Sequence, residues 1–219
     1  METVAVIDFE TTGLSPTQGA RATEVAAVLV RDGRLTGRFS SLMHSGAWVP
    51  PFIEQLTGIS NAMLRDAPPA AQVMREVLAF TQGCALVAHN ASFDRAFWGH
   101  ESSLAGVVGG GEHAAAFACT LLLSRRLYPE MPNHRLGTLA GEMGIECDGR
   151  AHRALADAEM AARLWLRIQR DVERRYVPEA GASHALLCSL QRTPRGQLGR
   201  CVQQWALRPA QPTPATASG

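Results

Sequence analysis

Thr3-Val4-Ala5-Val6-Ile7-Asp8-Phe9-Glu10 reads as a strand that is apolar on both faces until its last residues. Alternation places Val4, Val6 and Asp8 on one side and Ala5, Ile7 and Phe9 on the other. A strand apolar on both sides is central to its sheet and covered by helices above and below. Residues 23–31 and 34–43 are two further runs around Asp32-Gly33, a strong hairpin signal, so the first three strands form a meander. Pro50-Pro51 interrupts the chain, and residues 70–80 read as a helix behind Pro68-Pro69. Residues 85–88 form a short buried strand, a helix starts near Ser92, and residues 106–111 make a glycine-rich loop. A fifth strand is expected over 116–118, with helices over 120–127 and 135–143. The last strong element spans 154–174, where Ala158, Ala161, Ala162, Trp165, Ile168 and Val172 follow helical spacing. A hairpin followed by alternating strands and helices predicts an α/β fold with a mixed sheet.

After Tyr176 the texture changes. Residues 1–175 are read as one domain and 176–219 as a tail. In the tail, Leu186, Leu187 and Leu190 mark one short helix, and the Pro/Ala/Thr/Ser-rich stretch from Pro209 to Gly219 is expected to be disordered.

Composition removes several function classes. The 219 residues carry a net charge of +1, too little for a surface that coats long nucleic acid, though enough for an enzyme that grips a strand end. Every Lys+Arg residue is arginine. A phosphatase using Asp8 as nucleophile lacks the lysine such sites place on the phosphate, and a P-loop lacks its Gly-Lys. Five cysteines without a CxxC pair argue against a disulfide framework and a zinc site, and are read as reduced, mostly buried small hydrophobes. No apolar stretch approaches the roughly 18 residues of a membrane span and the N-terminus shows no leader, so a cytoplasmic protein is expected.

The chemistry is carried by carboxylates. Asp8 and Glu10 sit two apart at a strand end, on one face, where open α/β sheets place ligands. Side by side they repel, and a divalent cation relieves that conflict; hard oxygen donors select Mg²⁺ or Mn²⁺. A lone Asp-x-Glu also occurs by chance. Asp94, in His89-Asn90-Ala91-Ser92-Phe93-Asp94, is explained equally by the dipole of the helix it starts. Asp157, in His152-Arg153-Ala154-Leu155-Ala156-Asp157-Ala158, has an ordinary explanation as an i−4 ion pair with Arg153. His152 lies five residues before Asp157, roughly 140° away on a regular helix. It is therefore expected in the loop that feeds the helix, where a histidine suits general-base work.

Together these residues resemble a known family. Asp8-Phe9-Glu10-Thr11-Thr12-Gly13-Leu14, the segment 89–94 and the segment 152–158 are similar to the three motifs of the DnaQ-like DEDDh exonucleases, which include the epsilon proofreading subunit of bacterial DNA polymerase III. Residues 119–129 and 136–145 resemble the family's segment between the second and third motifs, so the likeness covers about residues 3–170. It implies a ribonuclease H-like fold: a five-stranded mixed sheet with helices on both faces. It also implies two divalent ions held by Asp8, Glu10, Asp94 and Asp157, with His152 as general base. The backbone of Thr11 and Thr12, with Leu14, Ile59, Asn90 and Phe93, would hold the terminal nucleotides, Leu14 and Phe93 wedging against bases. His89 is left as structural, and Cys119 stands where many relatives carry aspartate. The implied activity is metal-dependent 3′→5′ release of nucleoside 5′-monophosphates from a single-stranded 3′ end, DNA favoured over RNA, in proofreading or repair. RNA trimming and a non-catalytic nuclease-like scaffold are the alternatives. A polymerase or other partner would be met through the C-terminal tail.

Overall fold

The computed structural model describes residues 2–107, 116–146, 152–176 and 181–208. Five strands form one sheet: β1 (Val4–Thr11), β2 (Ala22–Arg31), β3 (Arg34–Leu42), β4 (Ala85–Ala88) and β5 (Ala118–Cys119), in the order β3-β2-β1-β4-β5. The β1-β2 and β2-β3 pairs are antiparallel, and the β1-β4 and β4-β5 pairs are parallel. The hairpin falls on Asp32 and Gly33, whose φ values of 53° and 74° are those of a turn that matches the twist of its strands.

The alternation read along β1 separates two cores. Val4 and Val6 pack beneath α7 (Ala154–Tyr176), α5 (Thr120–Leu127) and α6 (Leu136–Glu142). Ala5, Ile7 and Phe9 face α3 (Ala70–Phe80) and α4 (Ala91–Leu104). The sheet is thus covered on both faces, and the charged end of β1 emerges where α4 and α7 begin.

Three features depart from expectation. Pro50-Pro51 does not simply interrupt the chain: Pro51 opens α1 (Pro51–Thr57), because proline is preorganised for a first helical position whose N–H needs no partner. A five-residue α2 (Asn61–Arg65) follows, capped by the Ser60 hydroxyl on Met63 N–H. Among its described residues the C-terminal segment holds two α-helices, the expected one as α8 (His184–Leu190) and an unexpected α9 (Leu198–Ala206). Leu186, Leu187, Leu190, Leu198 and Val202 are buried in the same core as α7, so this segment is part of the packed body. Gln191 closes the outer edge of β5: its Oε1 accepts Cys119 N–H at 2.6 Å and its Nε2 donates to Phe117 C=O at 3.1 Å. Of the four described cysteines, all free, only Cys119 is buried; the other three are half-buried. Cys147, most of the glycine-rich loop, and the Pro209–Gly219 stretch expected to be disordered lie outside the described residues.

Candidate active site

The carboxyl ends of β1 and β4 open into a cleft of about 1120 Å³. Its floor carries Asp8, Glu10 and Asp157 with His152 at their side. Asp8 and Glu10 share the β1 face that α7 covers, and Asp157, in the first turn of α7, meets them there. Asp94, in the first turn of α4, is buried against them and accepts Phe9 N–H through Oδ1 at 3.2 Å. Donor atoms of Glu10, His152 and Asp157 lie within 4.8 Å of one another.

Burial and mutual repulsion dominate the electrostatics. Asp8 is pushed well above the usual carboxylate range, first by desolvation, then by the charges of Asp94, Glu10, Asp157 and Glu24. Desolvation, with repulsion from Asp157 and Glu24, lifts Glu10 to about 8, against a smaller opposing pull from Arg153. Asp94 reaches about 8, again by desolvation, although the Phe9 N–H favours its charged form. Asp157 is also raised by desolvation, tempered by the hydrogen bond from His152. Asp8, Glu10 and Asp157 present oxygen donors in the open cleft with Asp94 buried behind them, a set that fits a hard divalent cation, whose charge reverses the penalty of ionising the acids together.

His152 sits in the loop ahead of α7, as its spacing from Asp157 requires. Its backbone is left-handed at φ 60°, which costs a bulky residue on the order of 1–3 kcal/mol, and its N–H donates to Asp157 Oδ2 at 3.1 Å. Asn90 is left-handed as well, at φ 64°, and opens α4. Arg153 does not make the ion pair with Asp157 that helical spacing suggests; it turns away to Glu24 on β2. His89 bridges Thr120 Oγ1 and His134 C=O at 2.9 and 3.0 Å, and burial lowers it to about 4, consistent with its structural reading.

The residues expected to hold nucleotides are placed differently around the cleft. Leu14, 85% exposed, stands at the mouth of the cleft, and Thr11, Asn90 and half-buried Phe93 line it. Thr12 does not: its N–H is held by Arg21 C=O at 2.9 Å, and its hydroxyl accepts Arg21 N–H. Ile59 is wholly buried beside Val49, Ile53 and Leu64, so Ile53, Leu56 and Thr57 of α1 form that wall instead. The opposite wall, from α5 and the loop into α6, carries Arg125, His134 and Arg135, which the motifs do not reveal. Their signal is faint: a few basic residues in a segment whose resemblance to the family is loose.

A five-stranded mixed sheet with helices on both faces, and acids gathered at the ends of its central strands, defines a ribonuclease H-like nuclease fold. Residues 5–165 match RNase_T, the exonuclease family, and the chain belongs to that family, within its DnaQ-like group. The chain is 38% identical over 170 residues to the 3′-5′ exonuclease DinG of Bacillus subtilis, covering 74% of this chain but only 17% of the DinG protein. It is 33% identical over 174 residues to DNA polymerase III subunit epsilon of Aquifex aeolicus, covering 80% of this chain and 84% of that subunit. Exonuclease X, solved in complex with 5′ overhanging duplex DNA, superimposes with a TM-score of 0.63 at 25% identity, covering 86% of this chain and 99% of that one. Among the described residues, no helix is long and apolar enough to cross a membrane.

Proposed function

We propose that this chain removes nucleoside 5′-monophosphates one at a time from the 3′ end of single-stranded DNA, in proofreading or repair. The convergence of Asp8, Glu10, Asp94 and Asp157 with His152 at the end of one open cleft carries this reading. The four carboxylates would hold two Mg²⁺ or Mn²⁺ ions, which when bound supply Lewis-acid activation of water and charge neutralisation at the departing 3′-oxygen. His152, at the solvent side of Glu10 and Asp157, accepts the proton of the attacking water at a ring nitrogen. Leu14 and Phe93 flank the terminal base, while Asn90 and the Thr11 backbone hold its sugar end. Arg125 and Arg135, both exposed and without an ion-pair partner among the described residues, face the backbone phosphates that follow. Attack on the last phosphodiester leaves the terminal nucleotide with its 5′-phosphate and a free 3′-hydroxyl on the shortened strand.

The likeness to an epsilon subunit supports a polymerase as partner; the arginine-bearing tail after Tyr176 would be the segment that reaches it. A truncation lacking residues 209–219 that bound such a partner unchanged would place the contact elsewhere. The substrate assignment is tested with 5′-labelled DNA and RNA of matched sequence in Mg²⁺. A ladder that shortens from the 3′ end, faster on DNA, is expected. Faster shortening of RNA would turn the assignment to RNA trimming, and no shortening of either would overturn the activity itself.

A further inference from the structure

Glu24 is a buried carboxylate beside the cleft that the proposed chemistry does not use. Its Oε1 accepts Arg153 NH2 at 2.9 Å, and its Oε2 accepts Arg153 Nε at 3.1 Å and Ala154 N–H at 3.0 Å. Ala154 is the first residue of α7, and Arg153 is the link between it and His152. On the other side of that link, His152 is held left-handed with its N–H on Asp157. The turn from 152 to 157 is thus closed on itself at one end and bolted to β2 at the other. The bolt is also in register with the site, because Glu24 is the direct partner of Glu10 in the β1-β2 ladder.

We infer that Glu24 is a positioning residue for His152, fixing through Arg153 and the Ala154 N–H the turn that aims the imidazole at the carboxylates. The inference rests on the proposed exonuclease chemistry for its kinetic test, though not for its structural one. A comparison is built into the fold. Glu101 holds Arg21 in the same way, with Nε and NH2 at 2.8 and 2.9 Å and the following Ala22 N–H at 3.0 Å, but on the loop entering β2 rather than on the turn of His152. A carboxylate that merely ties the fold together should behave like Glu101. One that aims the base should show a coupling to His152 over and above the repulsion its charge exerts on Asp8, Glu10 and Asp157.

The test is a double-mutant cycle on the full chain, with E24Q and E101Q each combined with H152A. E24Q is expected to lower kcat about ten-fold with KM within about two-fold, since misplacing a reacting group by a fraction of an ångström costs rate rather than binding. In the H152A background the same change should cost less than about two-fold, while E101Q has the same effect with and without His152. If E24Q does not fold, R153K replaces it: Arg153 is partly in solvent, and the change keeps its charge while losing the two-pronged grip on Glu24. Independently of activity, the His152 ring resonance in the metal-free protein, assigned by its loss in H152A, should shift or broaden in E24Q and stay unchanged in E101Q. Equal loss of kcat in both backgrounds, a change in KM alone, or an unmoved His152 resonance would overturn the positioning role. A wild-type chain with no activity would instead count against the proposed function, leaving the resonance to decide this question.

Discussion

Glu10 and Asp94 hold their protons to about pH 8 in the folded chain, whereas the same groups in an unfolded chain ionise near 4.5 and 3.8. Between those values the folded state binds protons that the unfolded state has released, so stability falls as pH rises through that window. In EDTA, the melting temperature should therefore drop from about pH 5 to about pH 8, and Mn²⁺ should restore it most at the higher pH, where the acids are ready to ionise. A flat profile in EDTA would mean that the acids do not strain one another. At the same scale, His152→Ala should cut the cleavage rate by about 10²-fold or more while Mn²⁺ binding, followed by titration calorimetry, stays close to wild type. Normal turnover by that variant would remove His152 from the base role. These residues were legible because motif spacing carries them. Glu24 was not: it lies 129 positions from its partner, and Arg153 reads locally as a partner for Asp157. The burial of Ile59 was not legible either, since a position in the link after α1 does not tell whether its side chain turns to the cleft or to the small core of Val49, Ile53 and Leu64.

Hydrogen-bond and packing arguments at the level of elements make the C-terminal segment part of the fold. Gln191→Ala would strip partners from two buried backbone groups of β5 and its flank, Cys119 N–H and Phe117 C=O, and should cost about 1–3 kcal/mol in denaturant unfolding. Unchanged stability would show that α8 docks by its leucines alone. The strands and long helices could be read from periodicity: β4, α3 and α5 begin and end where the pattern does. The short elements could not. α1 hides behind two prolines that usually signal a break, and α9 carries its stripe of Leu198, Cys201, Val202 and Trp205 in a segment whose Arg, Gln, Gly and Pro content reads as a tail.

Over the whole molecule, a net charge of +1 leaves little long-range attraction for nucleic acid, so binding must come from local fields inside the cleft. Arg125→Ala and Arg135→Ala should each weaken single-strand binding and reduce the steepness of its log–log salt dependence by about 0.7, the effect of one lost phosphate contact. An unaltered slope would move the phosphate track to another wall. The scaffold alternative and the enzyme reading share this fold and differ only in whether the acids do chemistry. The most direct test follows a 5′-labelled single strand with wild-type and Asp8→Ala protein, each with Mg²⁺ or Mn²⁺ and with EDTA. A ladder receding from the 3′ end that needs both the metal and Asp8 is the predicted result. A ladder that survives the substitution, or its absence from folded, metal-supplied wild-type protein, would contradict the assignment of this cleft as an exonuclease centre.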